Sequence, residues 1–197
     1  MKTHVNTNTN TMTLTTASQS SPDMEAIEEL VKAFLTKYKY LYEVRLQKLA
    51  YTTELYTIVN YGTRLTTLDF HPYMYGAYSH AIHEAIESVA VEKDIVVRDS
   101  VKTPKYLSYG VEQPTLTLEA KAVIQSVHTR TKSTPTSELI ADTKDTWLYN
   151  HHDTGETMDF EAYCENKLNG TDKDTCKQYD PTAPDIPPEA LTSISCE

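Results

Sequence analysis

The sequence predicts a mainly α-helical domain of the α+β class, with five to six helices around a small β-hairpin or sheet. Three observations support this prediction. Apolar residues recur with helical spacing in several segments between residues 22 and 168. One segment, 94–109, combines β-branched and aromatic residues with a turn signal. The tracts at both ends of the chain lack apolar periodicity.

The first two helices are predicted from their ends and their apolar faces. Ser21-Pro22-Asp23 offers a capping hydroxyl, a proline in the first turn and an early acid, so a helix is expected to begin there. A second helix is expected from Glu43 to Tyr61, ending at Gly62. Its apolar residues cover most of its circumference, which predicts a central, buried helix.

The remainder of the domain is expected to alternate short helices with extended segments. Residues 64–75 are predicted to be extended, and residues 79–91 to form a third helix. The segment 94–109 predicts two short strands around a turn at 102–105. Further helices are predicted at 118–131, after Thr134-Pro135, and at 159–168.

Composition divides the chain into three parts. Residues 1–21 are dominated by Thr, Asn and Ser, and we expect them to be disordered. Residues 22–168 form the predicted helical domain. Residues 169–197 are acidic and rich in proline, which predicts a disordered, solvated tail.

The charge of the chain argues against a nucleic-acid partner. The 28 acidic and 18 basic residues give a formal net charge of −10. Such a charge repels phosphate backbones and favours either a basic protein partner or simple solubility. An acidic, threonine-rich surface is also typical of a salt-adapted host, although lysine still outnumbers arginine.

No segment is predicted to export or anchor the chain. The N-terminus lacks the apolar run of a signal peptide, and no apolar stretch reaches the roughly 18 residues of a membrane span. The three cysteines (Cys164, Cys176 and Cys196) contain no C-x-x-C pair, so we expect neither a disulfide framework nor a zinc knuckle. A cytoplasmic protein is therefore expected.

Motifs typical of enzymes are absent from the sequence. There is no G-x-S-x-G nucleophile elbow, and the five glycines form no phosphate-binding loop. The cysteines lie in or beside the predicted tail, away from any plausible base. We therefore expect no catalysis and no cofactor.

Two groups of histidines raise the alternative of a metal site. The predicted third helix carries two imidazoles and two carboxylates on one face, at helical spacing. These residues are His80, His83, Glu84 and Glu87. The sequence HAIHE is not the H-E-x-x-H pattern, and no third ligand is identified, so a solvated acidic face is favoured. A polar loop is likewise favoured at His151-His152-Asp153.

The predicted hairpin raises the alternative of a winged-helix module that binds DNA. It carries Arg98, Lys102 and Lys105, which suit phosphate contacts. However, the neighbouring helix that would enter a DNA groove, residues 79–91, contains no Arg or Lys. A protein partner is therefore favoured over DNA.

Three segments, in order, resemble the Panacea domain of SocA-like antitoxins. Residues 46–51 (LQKLAY) resemble the family's helix motif L-Q-K-L-L-Y-Y. Residues 70–78 (FHPYMYGAY) resemble its aromatic-x-aromatic-Y-G-P stretch, and residues 137–147 resemble L-S-x-x-T-H-x-x-x-P-W. The motif residues for which we expect a structural role are Leu46, Gln47, Leu49, Tyr51, Gly76, Leu139 and Trp147.

The chain departs from the family pattern at three positions. Ala77 stands where the family usually has proline, so the entry to the third helix is expected to be less rigid. Lys144 occupies the usual histidine position, and Thr146 replaces the proline before Trp147. These departures indicate a divergent branch.

The resemblance implies a Panacea-like helical antitoxin that neutralises a toxin encoded beside it by direct contact. The family occurs in bacteria, archaea and their viruses. Two alternatives remain open: a DNA-binding or transcription-linked regulator, and an adaptor that delivers a client to a protease.

A partner-binding surface is predicted around the junction between the extended segment and the third helix. Tyrosines are frequent interface anchors, and an acidic flank complements a basic toxin. Strand-like alternation places Tyr73 and Tyr75 on the same side. The predicted contact residues are Tyr73, Tyr75, Tyr78, His80, His83, Glu84 and Glu87.

Overall fold

A computed structural model describes residues 24–90, 92–168 and 177–191. These residues form seven α-helices and a small antiparallel sheet, which confirms the predicted fold class. The helices are α1 (Met24–Leu35), α2 (Glu43–Tyr61), α3 (His80–Val89), α4 (Leu118–Thr131), α5 (Thr136–Lys144), α6 (Trp147–Asn150) and α7 (Phe160–Leu168). The strands are β1 (Tyr40–Tyr42), β2 (Lys93–Arg98) and β3 (Val101–Leu107), and a 3₁₀ turn follows at Pro188–Ala190.

Helix α2 lies at the centre of the domain, as its sequence predicts. It packs against α1, α3, α4, α5 and α7, and against β1 and β3. Leu46, Leu49 and Tyr51 are fully buried. The helix ends at Gly62, which adopts the left-handed conformation with φ 70° and donates its N–H to the Ile58 carbonyl at 2.9 Å.

The chain after α2 is organised by a buried carboxylate and not by a strand. Glu54 is fully buried, and its two oxygens accept the backbone N–H groups of Leu65 and Thr66 at 3.1 and 3.0 Å. Its charge is compensated by Arg64, whose Nε lies 3.3 Å away. Residues 64–75 are predicted to be extended, but the only isolated bridge in the described chain joins His71 to Tyr78.

The strands pair in the order β1-β3-β2, and β2 and β3 form a hairpin. Its two-residue turn is Asp99-Ser100, with positive φ values of 47° and 67°. The predicted turn at 102–105 is therefore wrong, because those residues lie within β3. Pro104 is tolerated there because it faces Ile95 at a pair without hydrogen bonds, and β1 ends before reaching it.

The described part of the C-terminal segment, residues 177–191, packs on the domain instead of extending into solvent. The Tyr56 hydroxyl donates a hydrogen bond to Asp180 at 3.1 Å, and the Asp180 N–H donates to the Asn60 side chain at 2.8 Å. Two apolar side chains of this segment, Ile186 and Leu191, are buried. The segment thus covers one end of α2, which differs from the expectation of a solvated tail.

Some predictions fall outside the described residues. These are the disordered tract 1–21, the helix start at Ser21-Pro22-Asp23, and the parts of the predicted tail at 169–176 and 192–197. The domain boundaries therefore stay predictions. Among the described helices, none combines the length and the apolar character needed to cross a membrane.

Candidate functional site

The aromatic loop, defined here as residues 73–78, is anchored to α2 by two buried polar side chains. The first is Gln47, which is 1% exposed. Its Nε2 donates to the carbonyl of Ser79 at 2.9 Å, and its Oε1 accepts the N–H of the same residue at 2.9 Å. Because one amide satisfies both backbone groups of Ser79, the end of the loop is fixed in position at the start of α3.

The second anchor is Lys48, a lysine that is only 2% exposed. Its Nζ donates to the carbonyl of Ala77 at 2.5 Å. Burial lowers the pKa of Lys48 to about 7, and the positive charge of Lys144 acts in the same direction. No feature of the sequence indicated this role, since a lysine in a helix is normally a surface residue.

Gly76 allows the loop to approach α2 and α5 closely. Its φ is 85°, and its N–H donates to the Tyr73 carbonyl at 2.9 Å to close the turn. A Cβ added at this position would overlap Thr143 Oγ1 and lie 3.1 Å from the Cε of Lys48. Glycine is thus required here both by the backbone conformation and by the space available.

Helix α6 holds the loop from the other side through Tyr149, and α6 is itself positioned by Thr146. This residue caps α6, because its Oγ1 accepts the Tyr149 N–H at 3.2 Å, and it also contacts the Tyr51 hydroxyl at 2.8 Å. The Tyr149 hydroxyl in turn donates a hydrogen bond to the Tyr73 carbonyl at 2.8 Å. The loop backbone is therefore fixed by α2 and α6 together.

The outer surface of the aromatic loop consists of three large exposed side chains. Tyr73, Met74 and Tyr75 are 53, 64 and 56% exposed. A small open groove of about 180 Å³ lies between the loop and the first turns of α2, with Val44 and Tyr78 in its lining. Met74 was missed by the sequence prediction, although an apolar residue two positions before a turn glycine was the available signal.

The seven residues that the sequence predicts to contact a partner do not all lie on one continuous outer face. His80 and Glu84 are exposed and lie 3.4 Å apart, Nε2 to Oε1. The ring of His83 stacks beside that of His80 at 5.9 Å, and its Nδ1 lies 3.2 Å from Glu43 Oε2 on α2. Tyr78 is half-buried, and burial raises the pKa of its phenol.

Glu87 interacts with the sheet and not with the aromatic loop. Its Oε2 accepts a hydrogen bond from Lys93 Nζ at 2.5 Å, and its Oε1 accepts one from the Tyr106 hydroxyl at 2.6 Å. The hydrogen bond from Lys93, followed by that from Tyr106, lowers the pKa of Glu87. This residue therefore supports the base of the β2–β3 hairpin.

The imidazole rings of the second histidine group, His151 and His152, contact nearby backbone groups. His151 stacks on Trp147 at 4.1 Å, and its Nδ1 lies 2.8 Å from the Trp147 carbonyl. The Nε2 of His152 accepts the Asp159 N–H at 2.9 Å. In the parts of the chain that the structure describes, His, Cys, Asp and Glu side chains form no group of three or more suited to a metal ion.

The three segments that resemble the Panacea domain, residues 46–51, 70–78 and 137–147, lie together around the aromatic loop. The fold and the site define a mainly helical domain that presents an aromatic loop at its surface. Residues 46–148 match the family described as antitoxin SocA-like, Panacea domain, and the chain belongs to this family. The match covers more than half of the chain and includes all three segments. No curated protein and no solved structure matches the chain.

Proposed function

We propose that this protein is an antitoxin that neutralises a toxin encoded beside it by direct protein–protein contact. It acts in the cytoplasm by binding and not by catalysis. Its membership of the SocA-like antitoxin family supports the antitoxin role. We further propose that the aromatic loop is the centre of the contact surface.

The observation that carries this proposal is the exposure of apolar and aromatic side chains on an anchored backbone. Tyr73, Met74 and Tyr75 present more than half of their surface to solvent. Their backbone is nevertheless fixed by buried side chains, Lys48 among them. Rigid aromatic side chains lose little conformational entropy on binding, so such a loop is well suited to anchor a partner.

The charge beside the loop favours a basic partner. His80 and Glu84 lie at the exposed start of α3, and the whole chain carries a formal charge of −10. Acidic groups near an interface raise the association rate with a basic protein more than they raise the affinity. Glu87 is excluded from this proposal because it supports the hairpin.

The proposal is tested by co-expressing the protein with the product of the neighbouring toxin-like gene and measuring growth rescue and affinity. Tyr73→Ser combined with Tyr75→Ser should weaken binding at least tenfold, since buried interface tyrosines contribute roughly 1–2 kcal/mol each. Tyr109→Ser is the matched control, because Tyr109 is 72% exposed and lies outside the loop. Melting temperatures of all variants should remain close to that of the unchanged protein.

The same assay tests the electrostatic part of the proposal. Glu84→Lys should slow association, and the defect should grow as salt is lowered. Full rescue and unchanged affinity for the tyrosine variant would place the contact surface elsewhere on the protein. A complete absence of binding by the unchanged protein would contradict the antitoxin role itself.

A further inference from the structure

The outer edge of β2 is open for pairing. In a two-residue hairpin, Arg98 and Val101 form the hydrogen-bonded pair next to the turn, so even-numbered residues of β2 bond to β3. The bond from the Leu107 N–H to the Glu92 carbonyl, at 3.0 Å, follows the same alternation. The N–H and C=O groups of the odd-numbered residues therefore point away from β3, where no described strand lies.

The side chains of β2 do not protect this edge. Ile95 and Val97 are 54 and 60% exposed, and they lie on the same face of the strand. Monomeric proteins usually guard an edge strand with inward-pointing charges, proline or a bulge. The central part of β2, Ile95 to Val97, carries none of these features.

The sequence of β2 and its turn is complementary to itself. We propose that two copies of this chain pair antiparallel through β2, about a two-fold axis at Val96. This register places Ile95 opposite Val97 of the second copy, and Asp94 opposite Arg98 of the second copy. It also brings Lys93 close to Asp99 in the turn of the second copy, so the three charged residues of β2 lie near opposite charges.

The hydrogen-bond pattern restricts the choice of register. Only odd-numbered residues present their backbone groups to the open edge, so they must pair with odd-numbered residues of the second copy. The neighbouring permitted registers place Asp94 opposite Val96, or Ile95 opposite Asp99. A charge opposite an aliphatic side chain stabilises less than an ion pair, and therefore these registers are disfavoured.

The ion pairs proposed across the interface extend contacts that exist within one copy. Asp94 Oδ2 lies 3.1 Å from Lys105 Nζ on the same face of the hairpin. Arg98 of the second copy would join this pair, giving a carboxylate between two cations. A six-residue edge buries less than the roughly 800 Å² per partner of a standard interface, so we expect dissociation in about the micromolar range.

A disulfide cross-link tests the register directly. Val96→Cys is introduced with Cys164→Ser, Cys176→Ser and Cys196→Ser, and the protein is oxidised. The two Val96 positions form a non-hydrogen-bonded pair with a Cα separation of about 4.5 Å, within reach of a disulfide. Val97→Cys is the matched control. In this register the two Val97 positions are two residues apart along the strands, so their Cα atoms lie beyond the limit of about 7 Å for a disulfide.

We expect a covalent dimer for Val96→Cys and at least a tenfold lower yield for Val97→Cys. Sedimentation of the unchanged protein should show a monomer–dimer equilibrium. Asp94→Arg and Arg98→Asp should each weaken the dimer. The double variant should dimerise more tightly than either single variant, because the ion pairs across the interface are exchanged, although the pair of Asp94 with Lys105 within each copy is lost. Circular dichroism of each variant shows that the hairpin is still folded.

Three results would overturn the proposal. If the unchanged protein is still monomeric at a protein concentration on the order of 1 mM, several hundred times the expected dissociation constant, the dimer is excluded. Equal cross-linking at both cysteine positions, or no restoration by the charge exchange, would exclude this register. If the hairpin variants lose toxin binding while all proteins remain monomeric, the edge belongs to the toxin and the dimer is refuted.

Discussion

The aromatic loop and the β2–β3 hairpin both expose large apolar side chains, but they are held in place by different means. The loop contains no helix or strand beyond the single bridge between Tyr78 and His71, and its backbone is fixed mainly by side chains from α2 and α6, such as Gln47 and Tyr149. The hairpin is held by its own ladder and, at its base, by Glu87 and by the pairing of β3 with the short strand β1. The conformation of the loop is thus a product of tertiary packing, whereas that of the hairpin is mainly local.

The difference predicts where each region is sensitive to mutation. Loop variants should lose stability when the anchors or the close contacts beneath the loop are changed, although its exposed residues are tolerant. Hairpin variants should lose little, because few buried groups depend on the hairpin. Three measurements separate these cases.

The largest effect is expected at Gly76. Gly76→Ala places a methyl group against Thr143 Oγ1 and Lys48 at a position with φ 85°, so it should cost about 2–4 kcal/mol of unfolding free energy. Gly62→Ala is the matched control: its φ is 70°, but no atom lies within 4 Å of the added Cβ. This control should cost about 1 kcal/mol. Equal losses in chemical denaturation would show that the loop is not crowded.

A smaller effect is expected from the titration of Lys48. Its folded pKa is about 7, below the ordinary value of 10.5, so the unfolded state binds more protons between these values. The cost of burying the charge is complete below pH 7 and is relieved as the pH rises towards 10.5. Stability should therefore increase by about 2 kcal/mol between pH 7 and 9 through this residue alone.

The increase should be absent in Lys48→Met and retained in Lys121→Met, whose lysine is exposed on α4. The free energy of unfolding is measured by urea denaturation at several pH values. The difference between each variant and the unchanged protein is taken at each pH, so that the contribution of other titrating groups cancels. Parallel pH profiles for Lys48→Met and the unchanged protein would mean that Lys48 is solvated in solution and does not anchor the loop.

The smallest effect is expected at the base of the hairpin. The hydrogen bonds from Lys93 and Tyr106 lower the pKa of Glu87, so the ionised form contributes stability that is lost as the pH falls below 4.5. Glu87 is more than a third exposed, and solvent screening keeps this contribution below about 1 kcal/mol. Glu87→Gln should therefore reduce the slope of the unfolding free energy against pH in the acid range.

Glu92→Gln is the matched control, because Glu92 is an exposed carboxylate directly before β2, and it should leave the slope unchanged. An equal slope in both variants would contradict the role of Glu87.

Much of the fold was predictable because its signals are local. The apolar circumference of α2 and its glycine stop at Gly62 lie together in one continuous segment. The hairpin was predicted, but its turn was misplaced, since Pro104 is a stronger turn signal than Asp99-Ser100. Proline at a non-hydrogen-bonded position of a strand is indistinguishable from a turn proline without knowledge of the pairing.

The candidate site was less predictable because its contacts are distant in the chain. Gln47 binds a residue 32 positions away, and Tyr51 one that is 95 positions away. The resemblance to the Panacea motifs marked these residues as structural, yet it did not indicate that Lys48 is buried. The orientation of Glu87 towards the sheet was hidden for the same reason, since helical spacing alone places it beside Glu84.

The C-terminal segment also has a consequence for the order of synthesis. Residues 177–191 follow every α-helix of the described domain in the chain, yet they supply Asp180 to the hydroxyl of Tyr56 on the central helix. While the chain is being translated, the end of α2 and the neighbouring Arg130 on α4 stay uncovered until this segment has left the ribosome. This part of the surface is therefore completed late, even if the helices assemble earlier.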